Sequence, residues 1–213
     1  MRTRLREVGA EAVADYELIE LTLFRALPRG DTKGLAKTLL KEFGSVAGVI
    51  NAPEARLREF KGVGDAVVSE FRLMGAVSRA VLREVVESRP VLSSGEAVLN
   101  YARAHIAFSN VEHFHVLFLD KKNRLIRDEI QQTGTVDHTP VYPREVVRRA
   151  IELDATALIL VHNHPSGDTT PSVADIAMTK TVIAVAKPLG IAVHDHVIVG
   201  RQGHASMKGL RLI

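Results

Sequence analysis

Residues 155–175 read ATALILVHNHPSGDTTPSVAD, and the first eight form the short, unbroken apolar run expected of a strand buried on both faces. At the end of such a strand, side chains two apart share a face, so His162 and His164 present their imidazoles together while Asn163 points away. Pro165, Ser166, Gly167 and Asp168 turn the chain. Thr170 followed by Pro171 has the form of an N-cap with proline at the first helical position, which predicts a helix with Asp175 in its second turn. Ser172, three residues before Asp175, falls on nearly the same helical face. The whole stretch fits H-x-H-x(7)-S-x-x-D. Two imidazole nitrogens and one carboxylate oxygen suit zinc. Three protein ligands leave the fourth tetrahedral position to water, whose pKa zinc lowers to about 7. The pattern therefore predicts a catalytic zinc site built from His162, His164 and Asp175, against the plainer reading of two strand-capping histidines and a solvated aspartate.

Strands and helices alternate outward from this segment. EAVLNYARAHI reads as a helix and HFHVLFLD as a strand; Lys121, Lys122 and Asn123 form a polar turn into RLIRDEIQQTG, so a hairpin is expected. Pro143 opens the amphipathic helix REVVRRAIEL, Ser172 to Lys187 is helical, and IAVHDHVIVG returns to strand. The order α-β-β-α-β-α-β predicts an α/β layer architecture. From Ala10 to about Val86 the rhythm is purely helical, with breaks at Pro28, Arg29 and Gly30, at Gly44 and Ser45, and at Asn51, Ala52 and Pro53. Asp31, Ser45 and Asn51 read as caps of the helices that follow them, the last with proline at its first position. A small all-α domain over residues 1–88 and an α/β domain over residues 91–213 are expected, joined by a linker at Ser88, Arg89 and Pro90.

Composition narrows the chemistry. The chain has 213 residues, 46% hydrophobic and 25% charged, the balance of a globular protein. It has no cysteine, so thiolate ligands, disulfides and cysteine nucleophiles are excluded and a transition-metal site must use His with carboxylate. No apolar run is long enough for a membrane span and the first residues carry charges, so a cytoplasmic protein without membrane contact is expected. The net charge of +3 decides nothing about partners.

Other residues invite weaker readings. His194 and His196 flank Asp195 and make a second H-x-H pair without an evident third ligand. In LREFKGVGDAVVSEFRLM, Gly62 and Gly64 permit a tight turn between two helices. Backbone N–H groups there, with Lys61 beside them and Arg72 beyond, are candidates for contacting a DNA phosphate, although Asp65 would repel one. His105, His113, His115, His138 and His204 read as ordinary polar or partly buried residues, and Arg144 with Glu145 as a charge pair at a helix start.

HNHPSGDTTPSVAD, EHFHVLFLDKKNRLI, GTVDHTPVYPREVVRRAIEL and DHVIVG together resemble the bacterial RadC proteins, a branch of the JAMM (MPN+) metal-dependent proteases and deubiquitinases, over nearly the whole chain. The resemblance implies a cytidine-deaminase-like JAMM/MPN layer fold behind a helix-hairpin-helix-like region. It also implies one Zn2+ on His162, His164 and Asp175, with oxyanion stabilisation by Ser172. A glutamate from an earlier strand serves as general base, and Glu112 occupies its place, with Glu129 as the rival. Asp195 and His196 resemble a recurrent feature of the family and are candidates for supporting the ligands from behind or for work on the substrate side, against the plainer reading of a structural hydrogen bond. Hydrolysis of an amide or isopeptide bond in a peptide or protein follows as the expected activity. A DNA-associated repair or recombination protein is the alternative, and a metal-free scaffold ranks last because all three ligands are present.

Overall fold

The structure is a computed structural model and describes residues 5–7, 9–28, 32–87, 95–133, 141–201 and 203–213. The expected linker, Asp31, His138 and the stretch 134–140 lie outside the described residues. The chain divides into two compact units, residues 1–78 and 79–213.

The first unit is helical: α1 (Asp15–Ala26), α2 (Lys33–Phe43), α3 (Val46–Asn51), α4 (Glu54–Arg58) and the first part of α5 (Asp65–Glu87). Leu23, Leu39, Val49, Leu57, Val67 and Phe71 share its core. Helix α2 stops at Gly44, whose φ of 77° is open to glycine at little cost. Ser45 caps α3 as expected, its hydroxyl accepting the Gly48 N–H at 2.9 Å. Asn51, read as a cap, is instead the last residue of α3, and Pro53 precedes α4. The Asn51 side chain donates back to the Ala47 carbonyl, so its polar group is spent on the helix it ends.

The second unit is an α/β sandwich. After α6 (Gly95–Ile106) come β1 (His113–Leu119) and β2 (Leu125–Thr133), then α7 (Pro143–Glu152), β3 (Ala157–Asn163), α8 (Val173–Ala186), β4 (Ala192–Val199) and β5 (His204–Ser206). The sheet order is β2-β1-β3-β4-β5, with β3 parallel to β4 and the other neighbours antiparallel. Strand alternation sends Leu117, Leu119, Ile159 and Val161 to the face covered by α6. Phe114, Val116, Phe118, Leu158 and Leu160 face α7 and α8. Both faces are covered, which is why β1 and β3 read as continuous apolar runs rather than alternating ones. Each large apolar side chain so buried stabilises the fold by about 1.5–3 kcal/mol.

Two details depart from the expected architecture. The final strand β5 was not anticipated; three residues are too few to carry a period. Helix α8 starts two residues later than Thr170 and Pro171 suggest: Ser172 is its N-cap, its hydroxyl accepting the Asp175 N–H while the Asp175 carboxylate accepts the Ser172 N–H. These reciprocal bonds form a capping box and put Asp175 in the first turn rather than the second. No helix among the described residues is long and apolar enough to cross a membrane.

Candidate metal centre

His162 lies at the carboxyl end of β3, opposite Phe114 of β1 and Ile198 of β4. Two residues on, His164 leaves the strand. The loop that follows turns at Gly167, where φ is 88° and the N–H bonds back to the His164 carbonyl at 2.9 Å. That loop presents the Asp168 carbonyl to His164 Nδ1 at 2.6 Å. A carbonyl only accepts, so Nδ1 carries the proton. The capping box then sets Asp175, whose Oδ2 accepts both the Ser172 N–H at 2.8 Å and the Ser172 hydroxyl at 2.6 Å. The end of β4 passes close beneath this loop: a Cβ on Gly200 would sit 2.7 Å from the Gly167 carbonyl oxygen.

The three side chains converge. His162 Nε2 and His164 Nε2 are 2.9 Å apart, and Asp175 Oδ1 and Oδ2 lie 3.5 and 3.6 Å from them respectively. Among the described residues, this is the one group of three such side chains whose ligand atoms all lie within 4.8 Å of one another. A tetrahedral ion with bonds of about 2.0–2.2 Å holds its ligand atoms about 3.3–3.6 Å apart; the donor types suit zinc and the two His–Asp separations match that spacing, while the two imidazole nitrogens stand closer and must part slightly to share an ion.

The electrostatics agree. Burial pushes His162 down to about 4 and keeps it neutral, as a ligand must be. At Asp175, burial works to raise the pKa, but His164 and the Ser172 bonds outweigh it and hold the carboxylate far below its usual range. The nearby Asp175 carboxylate raises His164 in spite of its burial, helped by the Asp168 carbonyl and the charge of Glu112. Without a cation, then, a proton on His164 occupies part of the metal's place. Because the His164 pKa is raised, this competition extends to higher pH than for a free imidazole. Zinc affinity is therefore expected to climb about tenfold per pH unit below that pKa and to level off above it, as measured by competition with a chromophoric chelator.

Glu112 is half-buried and sits just before β1, near enough to His164 for its charge to be felt there. Asn163 fixes that position. Buried on the face opposite His162, it accepts the His113 N–H at 2.8 Å and donates to the Val111 carbonyl at 3.0 Å, gripping the chain on both sides of Glu112. Nothing in the sequence reading assigns Asn163 this task. Glu129, the rival, is held on β2 by Arg149 of α7 at 2.5 and 2.8 Å.

His196 stands behind the site: its Nε2 is 2.8 Å from His162 Nδ1, and its Nδ1 is 2.6 Å from the hydroxyl of Thr179, a residue the sequence reading passes over. Asp195 does not join it. On the neighbouring strand position its carboxylate faces away, accepting Ser206 and the His196 and Lys208 N–H groups, so it anchors the C-terminal segment and not a ligand. His194 and His196 part company because a bulge sets Val193 opposite Leu158 and Asp195 opposite Ile159. His194 thereby reaches Asn123 at 2.7 Å instead.

Elsewhere the charged residues brace the fold. On the α6 face, partly buried Asp128 accepts the Tyr101 hydroxyl at 2.6 Å and meets His115 Nδ1 at 3.0 Å. Arg144 and Glu145 form the expected exposed pair. In the first unit Gly62 has a φ of 96° and Lys61 and Gly64 are exposed. Two features of that turn are already used within the protein: the Val63 N–H bonds to Phe60, and Asp65 pairs with Arg58 at 2.5 Å. A family model described as "RadC-like JAB domain" matches residues 92–212.

Proposed function

The chain belongs to the RadC-like JAB domain family, and from that premise we propose that its second unit is a zinc-dependent hydrolase of JAMM type that cleaves an amide or isopeptide bond in a peptide or protein. The observation that carries this reading is the convergence of His162, His164 and Asp175 with no fourth protein ligand among the described residues. A structural zinc site closes its coordination with protein groups, whereas a catalytic one keeps a position open. Bound there, zinc supplies a Lewis acid and a water acidified to near neutrality.

The chain's own residues supply the rest. Glu112, held in register by Asn163, takes a proton from the attacking water on its carboxylate and returns it to the departing amine. Ser172 now spends its single hydroxyl proton on Asp175 Oδ2; to stabilise an oxyanion it turns that proton toward the substrate, while its N–H continues to hold the ligand.

The test is metal removal. Incubated with a library of internally quenched peptides and with isopeptide-linked conjugates, the zinc-loaded protein is expected to cleave members of the set, to stop on chelation and to recover when zinc is returned. Cleavage that persists after chelation, or zinc-loaded protein inert toward every member, counts against the reading.

A further inference from the structure

Behind the cation site three buried side chains lead to a backbone carbonyl: His162, His196 and Thr179 are 1%, 0% and 0% exposed. His162 Nδ1 meets His196 Nε2 at 2.8 Å, His196 Nδ1 meets Thr179 Oγ1 at 2.6 Å, and Thr179 Oγ1 meets the backbone carbonyl of Asp175 at 2.6 Å. The last member sets the direction. A carbonyl cannot donate, so the single hydroxyl proton of Thr179 goes to Asp175; the Met207 sulfur, 3.6 Å from the same hydroxyl, is a far weaker acceptor. Thr179 must then accept from His196, which places the proton of that imidazole on Nδ1. His196 is wholly buried and neither ring nitrogen is hydrogen-bonded to a carboxylate, so the ring carries a single proton, the one on Nδ1, and its Nε2 is bare and accepts. His162 is left to donate from Nδ1, and its Nε2, which faces His164 and Asp175, carries only a lone pair.

We propose that His196 and Thr179 are positioning residues for the cation site: through this directed chain they lock His162 in the tautomer that offers Nε2 to the metal, and they tie that choice to the backbone of another ligand. The chain begins on β3, crosses β4 and ends on the first turn of α8, so it also braces the elements that carry His162 and Asp175. Partners of this kind fix both ring orientation and basicity of a ligating histidine, and their loss typically lowers metal affinity about 10- to 100-fold. The inference rests on reading His162, His164 and Asp175 as a metal site, but its first measurement needs no metal.

In the metal-free wild type labelled with 15N-histidine, long-range 1H–15N correlation is expected to find His162 with its proton on Nδ1 and a bare Nε2. Zinc affinity is expected to fall about 10- to 100-fold in His196→Leu. His196→Gln, whose amide can both accept from His162 and donate to Thr179, restores most of it. Thr179→Val moves affinity in the same direction by a smaller factor and serves if His196→Leu does not fold, circular dichroism reporting the fold of each variant. A wild-type His162 protonated on Nε2, or a folded His196→Leu with unchanged tautomer and affinity, would overturn the proposal. A wild type that binds no zinc defeats the hydrolase reading, and the tautomer of His162 still decides this one.

Discussion

Substituting His164 with alanine is expected to lower zinc affinity by more than about 100-fold, beyond the upper end of what losing a partner behind a ligand costs. Two of three protein ligands cannot hold the ion in a site that already keeps one position open. The change should leave the fold intact, because His164 has left β3 and makes its contacts with Asp168, His162 and Asp175 at the strand end. His162 is a poorer choice for the same experiment: it is 1% exposed and belongs to the buried chain through His196, so its removal would mix loss of a ligand with an unsatisfied imidazole in the core. Zinc content after gel filtration, together with a competition titration, measures the effect, and unchanged thermal unfolding of the metal-free protein shows that only the site was touched.

The second large effect separates binding from chemistry. Glu112→Gln is expected to keep zinc, since no ligand is altered, while cleavage falls by about 100- to 10,000-fold, the usual contribution of a general base. Glutamine is close in shape, so the grip of Asn163 on Val111 and His113 survives and the side chain stays where the carboxylate was. Glu129→Gln, by contrast, breaks an ion pair with Arg149 on a partly exposed strand and should leave turnover unchanged. Reversed results would give the base to Glu129.

Much of this was legible in the sequence because it is local. The H-x-H pair at the end of an apolar run and the Ser-x-x-Asp pair, three positions apart, carry their geometry with them, through the period of two along a strand and the capping of a helix start. Thr170 and Pro171 offered a competing helix start, and Ser172 won because Asp175 could answer it with a second hydrogen bond. What could not be read depends on pairing across the sheet. The bulge on β4 that sends His194 to Asn123 and His196 to His162 is a property of register, and the two histidines look equivalent in the sequence. Asp195 looked like the partner of a ligand because of its neighbour, but alternation turns it to the other face. Thr179 carried a usable signal: it is one turn beyond Asp175 on the same helical face, the spacing at which a hydroxyl can bond back to the carbonyl of the ligand. Asn163 carried none, since its partners lie about fifty positions away in the chain.

X-ray absorption at the zinc edge on wild-type protein loaded with zinc and freed of excess tests the central claim most directly. The arrangement of His162, His164 and Asp175 requires one ion per chain, four-coordinate, with nitrogen and oxygen neighbours at about 2.0–2.2 Å and the multiple-scattering signature of two imidazoles. Zinc that fails to stay with the protein, or a spectrum of oxygen neighbours without imidazole, would contradict it.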